Sequence, residues 1–206
     1  MFNLNPDAMR QPQTPDSGKN LLRDGANVAS VLHRLEQADG VQLIVPGMRG
    51  VTRTDLGNWE TLEFSRDVPG SSAPWRFPAQ SVSDGTLRAL GVLVALFAVT
   101  GETLSPIGIE EPESALHPAA AGVLLDALRD ASERRQVIVT SHSPDLLDRH
   151  DFSLAELRAV RSVRGETVIG PLDDAGAPAL REQLYTPGEL LRTDQLLPES
   201  TTEAAQ

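Results

Sequence analysis

The sequence predicts an α/β fold: a parallel sheet with flanking helices, joined to antiparallel hairpins. Three observations carry this. Two short apolar runs, at Ile107–Ile109 and Val137–Val139, each lead into polar residues with chemical potential, as strands of parallel sheets do at their carboxyl ends. Long helical stretches stand before and between them. Two alternating stretches, broken at Gly57-Asn58 and at Arg164-Gly165-Glu166, read as hairpins.

Composition narrows the function. A length of 206 residues fits one domain with a real core. The net charge of −11 argues against a broad basic surface for nucleic acid, though not against a local groove. The absence of cysteine excludes disulfides and thiolate metal sites and is compatible with a reducing, cytoplasmic location. The polar N-terminus carries no apolar signal segment, and the longest apolar run, Ala89 to Val99, is too short to span a bilayer.

In chain order, residues 1–20 hold Pro6, Pro12 and Pro15 among polar residues and read as a flexible loop segment. Residues 25–37 read as a packing helix. Val28, Val31, Leu32 and Leu35 share one face, with Asp24 or Asn27 as cap. Val41 to Val45 is apolar and ends at the turn Pro46-Gly47. Val51–Leu56 and Trp59–Ser65 form the first hairpin. A turn-rich loop follows, after which Trp75 and Phe77 are expected to pack on the sheet.

Ser83-Asp84-Gly85-Thr86-Leu87-Arg88 opens a helix that is apolar all round and therefore buried. Ser83 suits the N-cap, and Gly85 permits close backbone approach. Pro106 to Pro118 is the stretch the rest is organised around. A buried strand delivers Glu110 and Glu111 to a sheet edge, and Pro112 stops it there. Adjacent strand residues point to opposite faces, so one acid can hold a metal while the other orients a water. Gly108 is weaker in that strand than an aliphatic residue.

Residues 119–132 form an amphipathic helix with Val123, Leu124, Ala127 and Leu128 facing inward. Gln136 to Thr140 is a strand whose β-branched run suits burial on both faces, and His142 follows its carboxyl end. Residues 157–163 and 167–169 close a second hairpin. Residues 187–192 read as a last helix, and 194–206 as a flexible tail. There is no internal repeat and no heptad pattern.

Taken together, Ser83–Arg88, Ile107–Leu116 and Val137–Pro144 resemble, in order, the signature, the Walker B strand with D-loop, and the switch histidine of ATP-binding cassette ATPases. Within these they are most similar to the RecF- and SMC-like ATPases of the AAA_21 type, over roughly residues 20–193. The phrase from Arg23 to Leu32 also resembles that branch. The resemblance implies a P-loop NTPase sheet that hydrolyses ATP with Mg²⁺. By resemblance, Glu110 stands at the Mg²⁺-associated acid, where most relatives have Asp, and Glu111 at the catalytic glutamate. His142 matches the switch histidine. Ser83, Asp84, Gly85 and Ser114 match signature and D-loop positions at the nucleotide of a head-to-tail ATP-sandwich dimer, where Ser83 and Gly85 would touch phosphate and Asp84, repelled by its charge, would cap the helix or contact the partner chain. Asp84 replaces the glycine of transporters, and His117 replaces their D-loop aspartate.

The family's phosphate loop, G-x-x-x-x-G-K-[ST], is not found in this sequence. Ser17-Gly18-Lys19-Asn20 holds the only Gly-Lys pair, without the earlier glycine or the following hydroxyl. The expectation is therefore a partial P-loop NTPase lobe over 21–193. It would need a Walker A from elsewhere, whether a partner half, an intact ATPase or a missing segment, and would bind ATP weakly alone. The alternative is a non-catalytic interaction or regulatory module pairing with an intact ATPase. Contact with nucleic acid through the wider complex stays open, as does the process served.

Overall fold

The structure is a computed structural model that describes residues 1–39, 48–98, 106–116 and 120–199. The apolar run ending at Pro46-Gly47, the loop around Gly101, the His117-Pro118 pair and the end of the polar tail lie outside the described residues. The chain divides into two compact units, Met1–Ser141 and His142–Gln206.

Residues 1–20 correct the expectation of loop. Helix α1 spans Pro6–Arg10, with the Asn5 side chain accepting a hydrogen bond from the Asp7 N–H at 2.9 Å. Pro6 sits in its first turn, where a missing N–H is harmless. Leu4 and Met9 are buried core residues. Five residues are too few to show a helical period, so only the Asn-Pro start was available as a signal. Helix α2, Val28–Asp39, buries the predicted stripe of Val28, Val31, Leu32 and Leu35. Asn27 organises the loop before it, accepting from the Leu22 N–H at 2.8 Å and donating to the Asn20 carbonyl at 2.9 Å.

Strands β1, Gly50–Leu56, and β2, Trp59–Arg66, pair antiparallel with Leu56 opposite Trp59. Gly57 takes the turn at φ +66°, a left-handed backbone that favours glycine. Trp75 and Phe77 do not lie on this sheet as expected. They belong to its third strand, β3, Trp75–Pro78, where Phe77 pairs with Phe64 and Trp75 is 56% exposed. On β2 the inward face carries Glu60, Leu62 and Phe64, at the period of two that a strand imposes.

Helix α3 spans Asp84–Phe97 and is buried along most of its length, as its composition predicts. Strand β4, Ile107–Glu110, pairs in parallel with β5, Val137–Thr140, setting Ile109 beside Val139 and Glu110 beside Thr140. On the other side of β4 the chain start acts as a third extended segment. The Phe2 N–H donates to the Gly108 carbonyl at 2.7 Å, and the Glu110 N–H donates to the Phe2 carbonyl at 2.9 Å. The expected burial of β5 on both faces is corrected: Ile138 is 51% exposed. Among the described residues no strand lies beyond β5, so it is the edge. Helix α4, Ala121–Ser132, buries Leu124, Leu125 and Leu128 but turns Val123 outward, against expectation. Its inward stripe is centred one residue further on than the sequence reading placed it.

The second unit is built on Leu157, Leu172, Leu180 and Leu190, with Phe152 and Leu147 against them. Strands β6, Ala159–Val163, and β7, Glu166–Gly170, form the expected hairpin, with Arg164 and Gly165 at φ +53° and +87°. Helices α5, Pro144–Leu147, α6, Gly176–Arg181, and α7, Pro187–Arg192, complete it. Thr186 and Glu189 form a capping box at α7. No helix among the described residues is long and apolar enough to cross a membrane.

Candidate active site

Glu110 and Glu111 stand at the carboxyl end of β4, the edge where parallel sheets carry their ligands. Ile107 and Ile109 are buried and anchor the strand, while Gly108 leaves room for the chain start. A β-carbon at Gly108 would lie 3.2 Å from Met1 Cγ, so the weak strand residue has a packing reason.

The Glu110 side chain is 33% exposed and faces Arg23, whose Nη2 lies 3.5 Å from its Oε1. Glu111 turns the chain off the sheet with a left-handed backbone, φ +45°. For a residue with a β-carbon that conformation costs about 1–2 kcal/mol. Three hydrogen bonds hold it. The Glu111 N–H donates to the Thr140 carbonyl at 2.9 Å. Its own carbonyl accepts from the Ser114 N–H at 3.0 Å and from Arg88 Nε at 3.1 Å.

Arg88 lies in the helix that Ser83 caps. Beyond Glu111 it donates to the carbonyls of Glu110, at 3.1 Å, and Leu4, at 2.9 Å. One half-buried guanidinium thus ties α3, the end of β4 and the chain start together. Burial lowers its pKa, opposed by the Glu113 and Glu111 carboxylates. Arginine nevertheless stays charged throughout the accessible range. The sequence reading included Arg88 in the motif without giving it a role.

The N-terminus of α3 meets the turn after β4 directly. Gly85 is buried, and a β-carbon there would fall 2.2 Å from the Ala115 carbonyl oxygen. Ser83 caps the helix, its Oγ accepting from the Thr86 N–H at 3.3 Å. Asp84 pairs with Arg10 within the chain, and Arg10 also donates to the Val82 carbonyl at 3.2 Å. Ser114 sits in the turn, its N–H engaged by Glu111 as described. The first two motifs are therefore in contact. Of the third, the strand β5 runs parallel to β4 and ends at Thr140. His142 is exposed and is the first residue of the second unit.

A further acid escaped the sequence reading. Glu113 is 8% exposed and accepts a hydrogen bond from the Ser141 hydroxyl. Burial pushes its carboxyl above the ordinary range, and the Glu111 carboxyl beside it adds to the rise. The Ser141 hydrogen bond works against both. Its only sequence signal was membership in the Pro-Glu-Ser-Ala turn.

Among the described residues, no three His, Asp or Glu side chains gather as a metal cage. A lone carboxylate at a sheet edge still fits Mg²⁺, which keeps waters and takes one or two carboxylates plus phosphate oxygens. Glu110 is a carboxylate at such an edge.

Comparison with known proteins identifies the family. The family model AAA_21, described as "AAA domain, putative AbiEii toxin, Type IV TA system", matches residues 4–148. The match starts well before the region that carried the resemblance in the sequence, and it takes in α1. No curated protein matches. Solved structures similar to this chain include the following two. One, from work on ATP-driven dimerization and DNA-stimulated activation of SMC ATPases, is 14% identical with a TM-score of 0.46, over 68% of this chain and 82% of that one. The other, an Smc head domain with an extended coiled coil bound to the C-terminal domain of ScpA from Pyrococcus furiosus, is 17% identical with a TM-score of 0.43. It covers 68% of this chain and 34% of that one.

Proposed function

This chain belongs to the AAA_21 family of AAA domains, and from that premise we propose that it supplies the signature, Walker B and switch-histidine half of an ABC-type ATPase. The reaction is hydrolysis of ATP to ADP and phosphate. The observation that carries the reading is the junction of two motifs. Arg88 of the signature helix holds the carbonyls of Glu110 and Glu111, and Gly85 abuts the turn that follows them.

Each residue then has a task in phosphoryl transfer, which depends on in-line positioning and charge neutralisation. Mg²⁺, when bound, neutralises phosphate charge, and Glu110 is the carboxylate that would hold it. Glu111 accepts a hydrogen bond from the attacking water and orients it toward the γ-phosphorus. His142, donating from one ring nitrogen, contacts a γ-phosphate oxygen. Ser83 offers its hydroxyl, and the first N–H groups of α3 their partial positive charge, to a nucleotide held by a head-to-tail partner. Asp84 is tethered to Arg10, which keeps its carboxylate engaged within the chain. The phosphate-cradling loop and its lysine are supplied from elsewhere, by a partner or a missing segment.

The test is reconstitution. This chain, mixed with a candidate partner that carries a Walker A loop, is expected to release phosphate from ATP. Glu111→Gln should lower that release by about 10²–10⁴-fold, the range of a lost general base. A mixture that hydrolyses ATP equally well with Glu111→Gln would overturn the assignment.

A further inference from the structure

Of the acids that follow Ile109, Glu113 is the buried one, at 8% exposure, and the phosphoryl-transfer scheme gives it no task. Pro112 before it is buried as well. A carboxyl in that position costs more than an apolar side chain would, unless it is hydrogen-bonded. Burial accordingly pushes its pKa upward. The contact that offsets the cost is the hydrogen bond it accepts from the Ser141 hydroxyl.

That bond holds a particular place in the fold. The Glu111 N–H donates to the Thr140 carbonyl at 2.9 Å, where β4 and β5 both end. One residue on from Thr140 and two on from Glu111, the Ser141 hydroxyl reaches the Glu113 carboxylate. The exits of the two strands are thus fastened twice in succession. The first link is backbone to backbone and needs no particular side chain. The second exists only with a donor at 141 and an acceptor at 113. It joins the turn after the Walker B strand to the segment that carries the switch histidine.

Glu111 depends on such links. Its left-handed backbone, φ +45°, persists only where the surroundings over-determine it. The Ser114 N–H and Arg88 Nε hold its carbonyl at 3.0 Å and 3.1 Å, and Thr140 holds its N–H. The Leu116 N–H closes the turn onto the Glu113 carbonyl at 2.9 Å. Glu113 is therefore held by its main chain within the turn and by its side chain across to the exit of β5. Its carboxyl also stands beside that of Glu111.

We infer that Glu113 is a positioning residue for ATP hydrolysis: by holding Ser141 it fixes the turn from which Glu111 orients the attacking water. The inference rests on the function proposed for Glu111. Packing alone would be served as well by leucine. In-line attack is sensitive to placement, a shift of about 1 Å costing on the order of 10²-fold. Glu111 acts on the water rather than on the bound nucleotide, so the loss falls on kcat and not on KM.

The test measures phosphate release against ATP concentration for this chain mixed with a partner that carries a Walker A loop. Ser141→Ala and Glu113→Leu are each expected to lower kcat about tenfold or more while KM stays near the wild-type value. Ser141→Thr keeps the hydroxyl and Glu113→Gln keeps an acceptor oxygen, so both should recover most of the rate. Urea midpoints separate positioning from stability. Glu113→Leu removes a buried carboxyl and should not lower the midpoint at neutral pH, although kcat falls. Ser141 is only half-buried, so its alanine variant decides the matter even if Glu113→Leu does not fold. Unchanged kcat in both variants, in a mixture that Glu111→Gln silences, would refute the positioning role and leave the role of Glu111 standing. A raised KM at constant kcat would do the same. A wild-type mixture that releases no phosphate refutes the ATPase reading and this role with it.

Discussion

Gly85 lies so close to Ala115 that a single added methyl would press on the Ala115 carbonyl oxygen from 2.2 Å. This contact joins the start of α3 to the turn after β4, two segments that carry different motifs. In the sequence Gly85 reads as room for a ligand. In the structure it is also room for the chain's own backbone, and that second requirement holds whether or not nucleotide is present.

Gly85→Ala is therefore expected to destabilise the first unit even without ATP. The opposing atom is backbone and cannot rotate away, so the cost should resemble core overpacking, about 1–3 kcal/mol. A lowered urea midpoint with unchanged m-value would show it. An unchanged midpoint would mean that the close approach relaxes freely and that the glycine serves only a ligand.

Glu113 supplies a pH signature. Its folded-state pKa is raised above the ordinary 4.5, chiefly by burial. Its contribution to stability is thus fully present below pH 4.5 and is lost as pH rises through the folded value. Glu113→Gln keeps a hydrogen-bonding oxygen for Ser141 and removes the titration. The variant should gain on wild type progressively above pH 4.5 and then hold a constant advantage, read from urea midpoints across pH. Because Glu111 adds to the rise, Glu111→Gln should shrink the difference.

How far the sequence could foresee this site follows from the kind of signal each residue leaves. Glu110 and Glu111 were legible because a short apolar run, two acids and a proline form a contiguous pattern, and a strand end is a local event. The stripe on α2 was legible through its period, and Ser83 through its capping chemistry. Arg88 was not, because its partners are three main-chain carbonyls from two distant segments, and carbonyls carry no sequence identity. Helix α1 was hidden by its brevity. The exposure of Ile138 was hidden because it depends on β5 being an edge strand, and a β-branched run reads alike at an edge and at a centre.

In the second unit, Asp148 shows the opposite titration. It accepts from the Thr186 hydroxyl at 2.8 Å and from Arg192 at 2.9 Å, and these hold its pKa below the usual 3.8. Stability from this group is present above pH 3.8 and is lost as pH falls through the lower folded value. Asp148→Asn should leave the acid limb of the stability profile flatter, with its largest deficit near neutral pH. Hydrogen exchange of the α7 amides is the local readout, since Thr186 caps that helix.

Arg88 is expected to couple stability to catalysis. Arg88→Met leaves the carbonyls of Leu4, Glu110 and Glu111 without their side-chain donor. Glu111 keeps the Ser114 N–H, so the heaviest loss falls on the other two. At about 1–3 kcal/mol for a buried group left unpaired, the first unit should lose several kcal/mol. Arg88→Lys offers a point charge in place of a planar fork and cannot serve three carbonyls in the same geometry. It should recover part of the stability but not the position of Glu111, whose left-handed backbone relies on that carbonyl contact. In the reconstituted ATPase, the lysine variant should then lower kcat while leaving KM for ATP near the wild-type value. A raised KM with unchanged kcat would assign Arg88 to nucleotide binding and remove it from the positioning of the catalytic acid.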